Sequence, residues 1–247
     1  MAEESELVPL DPIRQILQST PARLLVGRSG PAYRTSTALQ LRADHAAARD
    51  AVRSELDWKN ALGPELIQRF GLFEVQSQAR SKDEYLLRPD LGRKFAPQAL
   101  ELILNNCPMN ADVQIVIGDG LSCTAVESQV PALLPALSEE FENRHWSVGR
   151  SFVVRYARVG LLNAIGEILK PKTVVLLIGE RPGLATSESL SAYMAYSPHA
   201  GQTDADRNLI ANIHTRGVTV PDAVRRIATL LELMWAKQKS GIEIKEG

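Results

Sequence analysis

Cysteine is scarce in this chain of 247 residues, which contains only Cys107 and Cys123. The two form no C-x-x-C motif and stand in no metal-binding spacing, so they are typical of reduced core thiols and leave almost nothing to build a structural zinc site. No apolar run reaches the roughly 18 residues of a membrane span. The acidic start, MAEESELVPL, lacks the basic and apolar regions of a signal peptide. These absences predict a protein of the cell interior.

The chain also has almost no net charge, because 28 basic side chains oppose 29 acidic ones and the two signs are interspersed. Without a net field, neither nucleic acid nor an anionic membrane is expected as a partner. No repeat of about 20 to 50 residues and no long low-complexity segment is visible. With 45% hydrophobic residues, the chain is suited to an ordinary globular fold of one large or two small domains.

The first third of the sequence is typical of helices, and we expect an N-terminal helical domain over residues 1–84. Its segment from residue 38 to 56 is rich in alanine, leucine and charged residues. There Leu41, Ala48, Val52 and Leu56 recur at helical spacing and predict one buried stripe.

From residue 85 to 247, strand-like and helix-like segments alternate. Four short, mostly apolar runs predict strands that are covered on both faces: DVQIVIGDG (112–120), SFVVRYARV (151–159), TVVLLIGE (173–180) and LSAYMAY (190–196). Helical patterns lie between and after them. The alternation predicts a doubly wound α/β domain with a mostly parallel, Rossmann-like sheet.

Three of these predicted strands end in loops that combine small residues with polar ones: VIGDGLS, RYARV and IGERPGL. In open α/β sheets, ligands bind beyond the carboxyl ends of the strands. Glu180 and Arg181 would then face a ligand crevice or a partner, although a surface ion pair beside a turn explains them equally well. GDGLS also suggests a nucleotide loop, but Cys123 stands where the dinucleotide fingerprint requires glycine or alanine.

The four histidines are His45, His145, His199 and His214, and none lies in an H-E-x-x-H or pairs with a nucleophile in a G-x-S-x-G frame. The sequence therefore assembles no nucleophile, base and orienting acid. We expect no catalytic side chain and no metal ligand in this chain.

Several long segments, in the same order, resemble the small (light) subunit family of ethanolamine ammonia-lyase. They are GRSGPAYRT, LRADHAAARDAV, YLLRPDLGR, VQIVIGDGLS, VVRYARVGLLNAIGEIL, LLIGERPGLATSESLSAYMAYSP and DADRNLIANIH, and they span about residue 25 to the C-terminus. The resemblance implies a lyase that converts ethanolamine to acetaldehyde and ammonia with adenosylcobalamin. It also implies that catalysis belongs to a large subunit, while the small subunit closes on the nucleotide side of the cofactor.

The resemblance carries the family's cobalamin contacts onto Val159, Glu180 and Leu209. Val159 and Glu180 lie in the strand-end loops that the residue patterns had already selected. Leu209 stands where some relatives have cysteine, so it can make only an apolar or backbone contact.

The D-x-H-x-x-G motif, whose histidine replaces dimethylbenzimidazole on cobalt in base-off cobalamin proteins, is absent. Ala43, Asn143, Ser197 and Asn212 occupy the positions two before each histidine. The cofactor is therefore expected to keep dimethylbenzimidazole on cobalt, as the resemblance implies.

The resemblance implies the large subunit as the partner, in an assembly of six large and six small subunits. Enteric relatives carry a longer N-terminal segment associated with the ethanolamine-utilisation microcompartment, whereas about 20 residues precede the first matching motif here. The bacterial cytoplasm and the microcompartment are both open as locations. Two other functions are kept as alternatives: a stand-alone nucleotide-binding α/β protein that uses GDGLS, and a non-catalytic scaffold for the partner.

Overall fold

The computed structural model describes residues 12–19, 28–183 and 186–245. Its first elements are the helix α1 (Pro12–Ser19), a small hairpin of β1 (Arg28–Ser29) and β2 (Ala32–Tyr33), and the helices α2 (Thr35–Arg53) and α3 (Trp58–Phe70). The predicted helical stripe is only half-buried, and its last residue, Leu56, lies beyond the end of α2; no residue of this fully described helix is buried completely. Residues 1–11 and 20–27 of the predicted helical domain lie outside the described residues.

A six-stranded mixed sheet forms the centre of the fold, in the order β3-β5-β4-β6-β7-β8. The strands are β3 (Glu74–Gln76), β4 (Val113–Gly118), β5 (Phe152–Arg155), β6 (Thr173–Gly179), β7 (Leu190–Tyr196) and β8 (Asn208–Ile213). β3, β5, β4 and β6 run parallel, whereas β7 and β8 are antiparallel to their neighbours. All four predicted strands exist as β4, β5, β6 and β7, but the expectation of a mostly parallel sheet is confirmed only in part, since β7 and β8 are antiparallel to their neighbours.

The direction of β7 follows from the length of its connection to β6. A parallel crossover needs a dozen or more residues, usually including a helix. Residues 180–189 are fewer than that, so the chain turns back and β7 pairs antiparallel to β6, with Gly179 opposite Leu190.

Helices cover both faces of the parallel strands, as a doubly wound arrangement requires. They are α4 (Lys82–Leu87), α5 (Pro97–Asn106), α6 (Cys123–Asn143), α7 (Leu161–Leu169) and α8 (Val220–Lys237), with 3₁₀ turns at Leu91–Arg93 and Asp204–Asp206. Residues of α3, α6 and α8 form one hydrophobic core with the sheet. Residues of α5 and α7 form the other core. Every residue of β4 and β6 is buried, because these strands lie between the two cores.

The antiparallel end of the sheet is covered less completely. Ile210 and Ile213 of β8 are buried with α8 in the first core, while Leu209, Ala211 and Asn212 are exposed. This alternation is typical of an antiparallel strand with one solvated face. One face of β8 is thus left open, and it becomes a wall of the site described below.

The proposed boundary at residue 84 stays a prediction. The segment before it is joined closely to the sheet, because β3 pairs with β5 and Trp58 and Leu62 of α3 are buried in the first core. Within the described ranges, no helix is both long and apolar enough to cross a membrane.

Candidate functional site

A cavity of about 350 Å³ lies at the carboxyl ends of β4 and β6, beside β7 and β8. Val159, Glu180 and Leu209 all line it, although they come from three separate segments of the chain. The other lining residues are Tyr85, Gly120, Leu121, Arg158, Ile178, Gly179, Arg181, Ser191, Tyr193 and Ala211. The structure therefore brings the three predicted site residues together, while their role in binding stays a prediction.

Two glycines bring the loop after β4 against the end of β6. Gly120 has a φ of +60°, and a Cβ at this position would lie 2.3 Å from the carbonyl oxygen of Gly179. The next amide, that of Leu121, donates to the same oxygen at 3.1 Å. A side chain at position 120 would push this loop away from β6 and open the floor of the cavity.

Asp119, the central residue of the GDG segment, points into the protein. Its two carboxylate oxygens accept hydrogen bonds from the backbone N–H groups of Tyr156 and Ala157, both at 2.8 Å. Asp119 thereby holds the loop that follows β5, which leads directly to Val159 in the cavity wall. This carboxylate is therefore not available to a ligand, which argues against GDGLS as a nucleotide loop.

Burial raises the pKa of Asp119, and the nearby Lys82 ammonium and the amides of Ala157, Tyr156 and Gly120 oppose that rise. Lys82 is itself buried, and its Nζ lies 3.4 Å from the carbonyl oxygen of Gly120. A buried cation beside a buried carboxylate limits the cost of removing both from water. Lys82 therefore stabilises the charge of Asp119 and contacts the loop after β4 through the Gly120 carbonyl oxygen.

Glu180 connects the end of β6 to both antiparallel strands. Its Oε1 accepts from the Ser191 hydroxyl at 2.6 Å and from the Asn212 backbone N–H at 2.8 Å, and its Oε2 accepts from the Ser189 hydroxyl at 2.9 Å. Among the described residues no ion pair joins Glu180 to Arg181. The alternative of a simple surface pair is therefore wrong, and the carboxylate is held at the mouth of the cavity by three neutral donors.

Tyr85 was not selected from the sequence, yet it supports one wall of the cavity. It is fully buried, its hydroxyl donates to the Ala157 carbonyl oxygen at 3.0 Å, and burial raises its pKa well above the usual range. The guanidinium of Arg158 lies over its ring, 4.2 Å from the centroid. Tyr85 therefore fixes both the loop after β5 and the arginine that lines the cavity.

The opposite wall comes from the open face of the antiparallel strands. Tyr193 of β7 lies opposite Leu209 of β8, and Ala211 follows on the same face. Leu209 keeps 42% of its surface exposed, so its apolar side chain is available for contact. The residue pattern did not predict β8 as a strand, because Asn208 and Asn212 interrupt its apolar residues.

The lining is apolar in its walls and polar at its mouth, with two arginines and one carboxylate. Such a lining fits one side of a large amphipathic ligand that bears amide or anionic groups. Its volume is at the low end for a ligand site, so it can enclose only part of a cofactor as large as cobalamin. In the described part of the chain, no three His, Cys, Asp or Glu side chains are grouped to hold a metal ion.

Comparison with known proteins gives consistent matches. The family model described as ethanolamine ammonia-lyase light chain (EutC) matches residues 10–245. The ethanolamine ammonia-lyase small subunit of Clostridium acetobutylicum is 43% identical over 226 residues, which cover 92% of this chain and 91% of that protein. The small subunit of Clostridium perfringens is 45% identical, covering 92% of this chain and 75% of that protein. The Listeria monocytogenes small subunit is 42% identical over 228 residues, with coverages of 92% and 76%.

The role of Asp119 leads to a first prediction. Replacing it with alanine leaves the amides of Tyr156 and Ala157 without acceptors and Lys82 without a counter-charge. We expect Asp119→Ala to lower the free energy of unfolding by about 3 kcal/mol. Hydrogen exchange should show faster exchange in residues 155–160.

Asp112→Ala is the matched control, because Asp112 lies at the other end of β4 and accepts from the amide and hydroxyl of Ser147. It should speed exchange near residue 147 and leave residues 155–160 protected. Unchanged protection of Tyr156 and Ala157 in Asp119→Ala would show that this carboxylate does not hold the loop.

Proposed function

We propose that the cavity binds one side of adenosylcobalamin and that a large subunit completes the site. The proposal proceeds from the family of the chain, which belongs to the light chains of ethanolamine ammonia-lyase. The observation that carries this proposal is the convergence of Val159, Glu180 and Leu209 on one cavity. Residues from three distant segments meet there at the carboxyl edge of the sheet, where open α/β sheets bind ligands.

Each of the three residues has a role that its surroundings allow. Val159 and Leu209 offer apolar surface on opposite sides of the cavity. Glu180 uses Oε1 for two protein donors, but Oε2 accepts only one and can accept another hydrogen bond. We assign that remaining position to an N–H of a carboxamide side chain on the corrin ring.

The chain positions the cofactor and contributes no catalytic side chain. Adenosylcobalamin, when bound, supplies the radical chemistry that converts ethanolamine to acetaldehyde and ammonia. The residues of this chain hold one side of it and keep water from that side. The large subunit provides the substrate site and the other side of the cofactor, in an assembly of six large and six small subunits in the bacterial cytoplasm or in an ethanolamine-utilisation microcompartment.

The reconstituted complex tests this division of labour. The isolated chain should produce no acetaldehyde or ammonia from ethanolamine, and activity should appear on mixing with the large subunit and adenosylcobalamin. Deamination by this polypeptide alone would contradict the proposal, as would full activity of the large subunit with cofactor in its absence.

The cofactor is proposed to keep dimethylbenzimidazole on cobalt, because no histidine lines the described cavity. In the electron paramagnetic resonance spectrum of the complex with cob(II)alamin, the nitrogen coupling should stay the same when both subunits are labelled with ¹⁵N. A change from a ¹⁴N to a ¹⁵N pattern would show that a protein imidazole has replaced the base.

Glu180→Ala distinguishes a cofactor site from a scaffold. We expect the complex to assemble normally, while the adenosylcobalamin concentration for half-maximal activity rises about tenfold, the effect of losing a hydrogen bond to a charged group. The control is Glu188→Ala, because Glu188 is exposed and does not line the cavity. An unchanged cofactor requirement in Glu180→Ala, with assembly intact, would favour the scaffold.

A further inference from the structure

Arg158 precedes Val159 in the cavity wall, and its guanidinium is held in a fixed position. The Tyr85 ring lies beneath it, with the ring centroid 4.2 Å from Cζ. Nη2 donates to the Tyr85 carbonyl oxygen at 3.2 Å. Behind the side chain lies Gly92, where a Cβ would stand only 2.6 Å from the Arg158 Cγ. The guanidinium is thus positioned before any ligand arrives.

Most N–H donors of this guanidinium have no acceptor among the described residues. An arginine has five N–H donors, and the described residues supply one acceptor, the Tyr85 carbonyl oxygen. Its Nε is buried and has no partner in this part of the chain. No carboxylate within the described ranges forms an ion pair with Arg158. Buried donors without acceptors are rare in folded proteins, and a ligand is one of the few things that explains them.

The charge of the cavity indicates which kind of acceptor is missing. Arg158 and Arg181 line it as cations, and Glu180 is the single carboxylate among the lining residues. The three donors to Glu180 are neutral, so they leave its charge unchanged and the lining carries one excess positive charge. A single anionic group of the ligand matches this excess, and the planar fork of arginine suits phosphate oxygens.

We propose that Arg158 pairs with the phosphodiester of bound cobalamin, an inference that rests on the function proposed above. The carboxamides of the corrin ring are neutral, whereas the phosphodiester that links the ring to its nucleotide is the one anionic group at the periphery of the cofactor. Pairing at Arg158 places the nucleotide loop of the cofactor beside the loop after β5. Arg158 is therefore a binding residue for the nucleotide part of the cofactor, distinct from the Glu180 contact to the corrin.

The test measures binding of two probes to the assembled complex by equilibrium dialysis, and it does not depend on activity. Cyanocobalamin contains the phosphodiester, whereas dicyanocobinamide lacks both the nucleotide and its phosphate. In Arg158→Met, whose side chain still covers Tyr85, the Kd for cyanocobalamin should rise about tenfold or more. The Kd for dicyanocobinamide should stay within about twofold, and Arg158→Lys should lie between Met and wild type.

Arg181→Met is the matched control, because it removes the same charge from an exposed position in the lining. It should weaken cyanocobalamin binding less than Arg158→Met does. Raising the salt concentration should weaken binding to the wild-type complex and have less effect on Arg158→Met, since screening acts on the charge pair.

An unchanged Kd for cyanocobalamin in Arg158→Met would overturn the proposal. An equal loss of affinity for both probes would also overturn it, because Arg158 would then contact the corrin or stabilise the fold. An equal loss of cyanocobalamin affinity in Arg181→Met would overturn it too, because the effect would then come from net charge alone. If the wild-type complex binds neither probe, the cobalamin site itself is wrong, and that outcome is separate from the role of Arg158.

Discussion

The buried carboxylate of Asp119 is the constraint on which the site depends. It receives the amides of Tyr156 and Ala157 and lies beside the buried ammonium of Lys82, so it joins the loops after β4 and β5 to helix α4. Arg158 and Val159 follow Ala157 directly in the chain, so the hydrogen bonds of Asp119 also fix their positions. Because unpaired charges and amides are costly in a protein interior, these loops have little freedom to move. A rigid wall lowers the entropy that the protein loses when a ligand binds.

A second junction positions the other half of the cavity. The short connection after β6 forces β7 to turn back, and Glu180 closes that turn by accepting from Ser189, Ser191 and the amide of Asn212. The antiparallel extension keeps one face of β8 open, where Leu209 is exposed. In a fully parallel sheet, a crossover helix would have covered that face. The cavity thus exists because the sheet is mixed.

The sequence predicts the parts of this fold that depend on local patterns. Continuous apolar runs identified four strands, and strand-end loops pointed to Val159 and Glu180. It did not reveal the short strand β3, the alternating strand β8 or the direction of β7, which depend on pairing between distant segments. It also could not show that Asp119 points inward, because its donors lie more than 30 residues away along the chain. Tyr85 was missed for the same reason, since its importance comes from contacts across the fold.

The open shape of the cavity argues for a site shared between two polypeptides. A cofactor with a large planar ring needs apolar surface on both faces and donors and acceptors around its rim. This chain offers apolar walls from Val159 and Leu209, one acceptor at Glu180 and one anchored cation at Arg158, which together line a single open cavity. On the function proposed above, this chain binds the part of the cofactor that does not react, and the reacting groups approach from the side that a partner subunit closes.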